Sequence, residues 1–452
     1  MSSEPIVARP LDTKNGSAFC RSFEKQCVIA RVFFTVGILT ITLECFFYNK
    51  IKWLIKGHGL PVVLWPSEIW FICIGGLLFL FHISNKKMKI TIGDISPILV
   101  VILVFLVAFV HGVLNNNPFA ISEFREIVFG AFALPIVMIL APYYSLRKNP
   151  KKIILFFLFI GISFSFVVVY ETINMIHFNP IKSNAFTMLL FLGLPIFILA
   201  NSFQVKATLL PLIVVSTAIL INFSKLSISN FFFATMASCI CFYFITPKSR
   251  FLKLNKMRTK MLLKLAALAI TCFVFLFAYD RYTNGGIQKT ILVSFLKMRT
   301  TSSGAVHFAD RSGGRIEMWK ASINLWSEQP FWGHGLGKTI RVFSSGWSEK
   351  SQLHNYFLQT LQNTGVLGVT AIFVSLTYWW LKIYPKIKRI QNTYEKIVLY
   401  GMVIFILTIL FNGLYGHSLS YTPIGILFWV CIGLLSSLSL REKHQKYIEY
   451  KH

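Results

Sequence analysis

Acidic residues are scarce in this chain. Asp and Glu number 17 against 45 Lys and Arg, a formal net charge of +28. Charge of either sign is also scarce, at 14% of residues, where an ordinary soluble chain carries about 25%. That deficit, with 55% hydrophobic residues and a mean hydropathy of +0.63, excludes an ordinary soluble globular domain. Apolar runs recur from end to end, the pattern of a polytopic membrane protein. The runs are unbroken, which argues for helices; a barrel would alternate in segments of about ten residues. A basic excess in a soluble protein would point to nucleic acid. Here much of it lies in short loops and tails beside apolar runs, where it sets topology and meets anionic lipid. The sequence has no RNA-binding motif, so no nucleic-acid partner is expected.

Three further absences narrow the field. The eight cysteines, Cys20, Cys27, Cys45, Cys73, Cys239, Cys241, Cys272 and Cys431, form no CxxC and no ligand spacing, so neither a disulfide nor a zinc site is expected. No internal repeat is visible, against a transporter built from repeated halves. Apolar runs hold few ionisable groups, mainly Glu44 near one end, whereas a transport path would place them in mid-span. The first ~27 residues are polar with no small-residue cleavage site after the first apolar run, so that run is expected to stay as an anchor.

The runs predict about twelve transmembrane helices, at 31–48, 67–84, 96–113, 127–144, 153–171, 184–202, 207–223, 227–246, 262–279, 366–384, 397–415 and 421–440. The expected fold is therefore all-α. Basic clusters fix its orientation. Lys86, Lys87 and Lys89, then Arg147 to Lys152, the run Lys248 to Lys264, Lys382 to Arg389 and the tail from Arg441 all fall on one side. Both termini come out cytoplasmic. Lys50, Lys52 and Lys56 depart from the pattern, and 49–66 reads as an interfacial segment. The chain divides into residues 1–279 with nine spans, a large outer loop at 280–365, and residues 366–452 with three spans.

The loop is where chemistry is expected, because long loops in compact proteins are usually functional. Its basic residues are Arg281, Lys289, Lys297, Arg299, Arg311, Arg315, Lys320, Lys338, Arg341 and Lys350; its acids are Asp280, Asp310, Glu317, Glu328 and Glu349. That positive excess lies on the side where topology disfavours it. Trp319, Trp326, Trp332 and Trp347 add indoles, which stack on sugars or sit at headgroup depth.

RIEMWKASINLW, Arg315 to Trp326, has Ile316, Trp319, Ile323 and Trp326 at helical spacing, the mark of an amphipathic helix. Arg315 falls near its N-terminus, where it opposes the helix dipole but suits an anion. A plain solvated arginine is the other reading. QPFWGHGLG, Gln329 to Gly337, predicts a tight turn. No strand precedes it, so it is not a dinucleotide fingerprint.

In QLHNYFLQTLQNTGVLG, His354 stands beside Asn355, and Gly365 follows eleven residues later. That is about three helical turns, so His354 and Gly365 are expected on one face, with Gly365 admitting a close neighbour. A histidine bonded to a carbonyl at the interface is the alternative. Lys225, at an outer hairpin, reads as either an anion ligand or a snorkelling lysine. Arg125 lies between Glu123 and Glu126 on the same side and could pair with either. Asn184 opens the sixth span, as a cap would.

Together these residues resemble the O-antigen ligase and polymerase superfamily of bacterial envelope glycosyltransferases. The resemblance is carried by the span number, the loop between spans nine and ten, GGRIEMWKASINLWSEQPFWGHGLG, His354-Asn355 with Gly365, and NPIKSNAFTMLLFLGLPI. It implies a multi-pass protein of the bacterial inner membrane with its site on the periplasmic side. The implied reaction is transfer of a polysaccharide from undecaprenyl diphosphate to a sugar hydroxyl of lipid A-core, with inversion and without metal or cofactor. His354 matches the family histidine and is assigned as general base, since imidazole ordinarily titrates near ~6.5. Arg315, matching the family arginine, with Lys225 and Arg311, would hold the diphosphate. Asn355, Gly365, Arg125 and Trp319 are further candidates. Lys225 stands where the family has arginine, which loses the bidentate fork. O-antigen polymerase and a protein O-glycosylating ligase are alternatives within the superfamily, and a twelve-helix transporter or flippase lies outside it.

Overall fold

The computed structural model describes chiefly residues 26–44, 66–84, 92–140, 184–221, 225–245, 315–343, 347–350, 353–416 and 422–451, with fragments of 154–166 and 298–308. The spans expected at 153–171 (apart from fragments) and 262–279, the interfacial segment 49–66 and Arg311 lie outside the described residues. Helices are α1 Val28–Ile41, α2 Pro66–Ile69, running through a π-helical turn at Trp70–Ile74 into α3 Gly75–Ser84, then α4 Ile92–Leu114, α5 Ala120–Leu140, α6 Asn184–Ser202, α7 Leu209–Ile221 and α8 Lys225–Ile245. After them come α9 Arg315–Glu328, α10 Tyr356–Arg389, α11 Thr393–Gly413 and α12 Thr422–Lys451.

Length and apolar content alone make α10 and α11 candidates to cross a membrane, and several other helices are shorter apolar segments. The fold is that of a helical membrane protein. α11 is its central helix. It packs against α6, α8 and α12, and Ile397, Leu399, Ile404, Phe405 and Ile409 on it are fully buried. Asn392 starts it by accepting from the backbone N–H of Tyr394 and Glu395, two of the donors a helix leaves open at its first turn. α5 packs along α12, and α4 along α10.

Two departures from the expected all-α fold concern the loop. It holds one described amphipathic helix, α9, and two antiparallel ribbons: β1 Met298–Thr300 with β2 Val306–Phe308, and β3 Ile340–Phe343 with β4 Trp347–Lys350. Strands of three or four residues are too short for a two-residue period to show in sequence. The second departure is at the loop's end. The run expected to begin at 366 is the second part of α10, which starts at Tyr356 and breaks at Gly365. The first part is polar yet buried: Gln359, Thr360, Gln362, Asn363 and Thr364 are all inside.

Candidate functional site

The break in α10 organises the site. Gly365 lies at φ +64°, ψ −165°, a conformation open essentially to glycine alone. A helix interrupted there leaves carbonyls unpaired before the break and N–H groups unpaired after it. The Gln329–Gly337 turn supplies both sets of partners. Before the break, the carbonyls of Gln362 and Asn363 accept from the N–H of His334 (2.9 Å) and Gly335 (3.0 Å). After it, the N–H of Val366 donates to Pro330 O at 2.9 Å and that of Leu367 to Phe331 O at 3.5 Å. The turn is thus spliced into the helix by main-chain bonds on both sides.

Its other face is fixed against α4 and α5. Leu336 N–H donates to Ala108 O at 2.9 Å. The Asn117 amide donates to His334 O and Leu336 O, both at 3.0 Å. Gly337 N–H donates to Glu123 Oε2 at 2.8 Å. Gly333, Gly335 and Gly337 all have positive φ, and side chains there would strike the backbone of Asn363–Gly365, His111–Gly112 and Phe119–Ala120 respectively. Since Gly333 N–H is also taken, by Gln329 O at 2.9 Å, all five N–H groups of 333–337 are bonded internally. The glycine-rich turn is a packing device, and it offers no donor to a phosphate.

Glu123 joins these parts. Its carboxylate accepts from Gly337 N–H, from Gln359 Nε2 at 2.9 Å and from Asn363 Nδ2 at 2.6 Å. Arg125 forms an ion pair with Glu68 of α2 at 3.4 Å, with Glu68 fully buried. A buried cation needs such a partner, and Arg125 thereby ties α5 to α2. Glu123, Gln359, Asn363 and Asn117 were not among the expected site residues. The signal that marks them is the polar run Gln359 to Thr364 directly before an apolar one.

His354 lies outside α10. It occupies the turn before it, at φ +53°, so the face shared with Gly365 does not form. Left-handed backbone is uncommon for a residue with a side chain and marks a position held by its surroundings. Both neighbours are fixed. Leu353 is buried with Met318 and Ile340, and its carbonyl accepts from the Trp319 indole at 2.9 Å. Asn355 caps α10 by accepting from Leu358 N–H at 2.9 Å, and Tyr356 N–H donates to Gly416 O at 3.1 Å. Half-buried His354 is therefore presented from a rigid turn.

Arg315 begins α9 as the sequence predicts, and it is exposed. It stands one turn before Trp319, on the face that α9 lays toward Leu353, so α9 brings the arginine's end of the helix to the His354 turn. His334 is a scaffold residue, its Nε2 against Leu325 O. Lys225 starts α8; its side chain lies outside the described residues.

Below this turn lies an apolar cleft of about 70 Å³, walled by Phe105, Ile127, Leu376, Trp379 and Trp429 and reaching Tyr356. It meets a small polar pocket of about 20 Å³ lined by Glu123, Glu126, Gln359, Thr360 and Asn363. Phe105, Glu126, Ile127 and Tyr356 line both.

These features define a class: a helical membrane protein whose polar site is built where a loop is bonded into a broken helix. Residues 210–373 match the family model for O-antigen ligase, and that match supports the chain's membership of the O-antigen ligase/polymerase superfamily. The matched stretch contains Lys225, Arg311, Arg315, Trp319, His354, Asn355 and Gly365, and excludes Arg125. No curated protein matches the chain. The family implies a membrane glycosyltransferase-like enzyme with a glycan-carrier donor and an acceptor.

The splice makes a testable demand on Gly365. Gly365→Ala would force its methyl onto the Phe331 carbonyl. The backbone conformation costs a non-glycine residue about 1–3 kcal/mol, and overpacking adds about 1–3 kcal/mol. A clearly lowered unfolding midpoint is expected for the purified variant in detergent. An unchanged midpoint would count against the splice.

Proposed function

We propose that the protein is an O-antigen ligase of the bacterial inner membrane. It moves polysaccharide from undecaprenyl diphosphate to a sugar hydroxyl of lipid A-core, with its site on the periplasmic side and both termini cytoplasmic. Residues 280–365 form the catalytic loop between the spans of 1–279 and those of 366–452. The observation that carries this reading is His354, held in left-handed backbone between two fixed neighbours, two residues before Tyr356, which lines the apolar cleft.

His354 takes the proton of the acceptor hydroxyl, and the oxygen attacks the anomeric carbon from the face opposite the carrier. The bond from that carbon to the diphosphate oxygen breaks, and the diphosphate leaves with the electron pair. One displacement inverts the centre. Arg315 absorbs charge developing on the diphosphate, with Lys225 and Arg311 as further cations. The cleft suits the carrier's isoprenoid chain. The pocket beside it holds Glu123 and Glu126, which repel a diphosphate, so the diphosphate belongs on the Arg315 side. The chemistry of this residue set calls for no metal or cofactor.

A glycolipid gel tests the reading. In a host lacking its own ligase, the core is bare and polymer stays on the carrier. Expressing this chain is expected to place long polysaccharide on lipid A-core. If the chain fails there, yet restores chain length in a host lacking its polymerase, it is an O-antigen polymerase and the ligase reading is overturned.

A further inference from the structure

Three of the loop's four indoles divide by environment. Trp319 and Trp326 turn inward, with their N–H groups on Leu353 O and Pro330 O. Trp332 and its neighbour Phe331 turn outward and are 62% and 68% exposed. They cannot fold back, because the turn that carries them is bonded on both sides to α10 and beyond them to α4. Two adjacent aromatic rings are therefore held out permanently by a rigid backbone.

What surrounds them is apolar and exposed as well. On α4, Val107, Val110, Val113 and Leu114 are open; on α10, Val366 and Leu367 are open. These are the helices to which the turn is bonded, so the rings join two lipid-facing strips into one. Depth follows from the contacts. Phe331 and Trp332 share a groove with Val107, Ala108 and His111, and α4 runs on to Leu114. At 1.5 Å per residue the rings lie roughly 5–10 Å short of that helix end. The groove is graded, with Val107 and Phe331 apolar and His111 and Gln329 polar. Aromatic rings with one apolar and one polar surrounding prefer the boundary between headgroups and acyl chains.

We infer that Phe331 and Trp332 are seated in the lipid bilayer, at the headgroup–acyl boundary of the leaflet bordering α9, and anchor the spliced turn at that depth. This stands apart from the proposed reaction. The partner is membrane lipid; a glycan stacked on Trp332 in water is the competing occupant.

Spin-label accessibility decides between them, using the full-length, cysteine-depleted chain in phospholipid nanodiscs. Labels go on Phe331→Cys and Trp332→Cys, with Val110→Cys as the lipid-facing reference and exposed Ser327→Cys of α9 as the water-facing one. The ratio of collisions with oxygen to collisions with a water-soluble nickel chelate is expected to be several-fold higher at 331 and 332 than at 327, and close to that at 110. A ratio equal to that at 327 overturns the inference. A second measurement leaves Phe331 intact: the amount of tryptophan emission lost to bromine-labelled phospholipid, per mole of protein, is expected to be smaller in Trp332→Phe than in the unaltered chain. An equal loss in both would place the indole outside the lipid.

Discussion

His354→Ala is expected to lower turnover about 10²–10⁴-fold, the usual contribution of a positioned general base, in an assay that follows transfer from carrier-linked glycan. His354→Gly sharpens the test. His354 sits at φ +53°, which glycine adopts without steric cost, so the glycine variant keeps or gains stability on the backbone side. It is expected to be as inactive as alanine while unfolding at or above the midpoint of His354→Ala, which loses the same side chain. An active His354→Gly variant would show that the position matters for its backbone alone.

Much of the architecture was legible because it rests on composition and period. The apolar runs mark helices close to where they stand: 184–202 coincides with α6, and 227–246 lies within two residues of α8. α9 was legible from four apolar residues at helical spacing, down to Arg315 as its first residue. The start of α10 was not. Residues 356–364 are polar enough to read as loop, yet they are buried helix, because the splice and Glu123 satisfy groups that would otherwise need water.

Which residues meet at the α9–α10 junction was legible in part, and their geometry less so. His354, Asn355, Gly365 and Trp319 all serve the α9–α10 junction, but counting eleven residues as three helical turns assumed a continuous helix. The cap at Asn355 and the break at Gly365 both interrupt it. Gly365 admits a close neighbour as expected, and the neighbour is the carbonyl of Phe331. Arg125 shows the limit of local reading. Two carboxylates flank it in sequence, but its ion pair is with Glu68, 57 residues earlier. Nothing in local spacing reports such a contact, just as nothing joins Glu123 to Gly337 and Asn363.

Glu123→Ala is expected to be the most destabilising single substitution in this region. Glu123 is buried and accepts three hydrogen bonds, from the turn and from two side chains of α10. Alanine leaves three donors without an acceptor, each costing about 1–3 kcal/mol, whereas most substitutions cost about 0.5–3 kcal/mol in total. Glu123→Gln keeps the volume but turns an NH₂ group toward N–H donors, so it should fall between alanine and the unaltered chain. Unfolding midpoints in detergent give the order, and limited proteolysis within 329–365 locates the loosening. A Glu123→Ala midpoint equal to that of the unaltered chain would mean the carboxylate does not hold the splice. Activity is expected to fall with stability here, because the turn, the broken helix and the presentation of His354 are one bonded unit. His354→Gly is expected to lose activity with no greater loss of stability than His354→Ala. That contrast would separate the residue proposed to do the chemistry from the one that holds it in place.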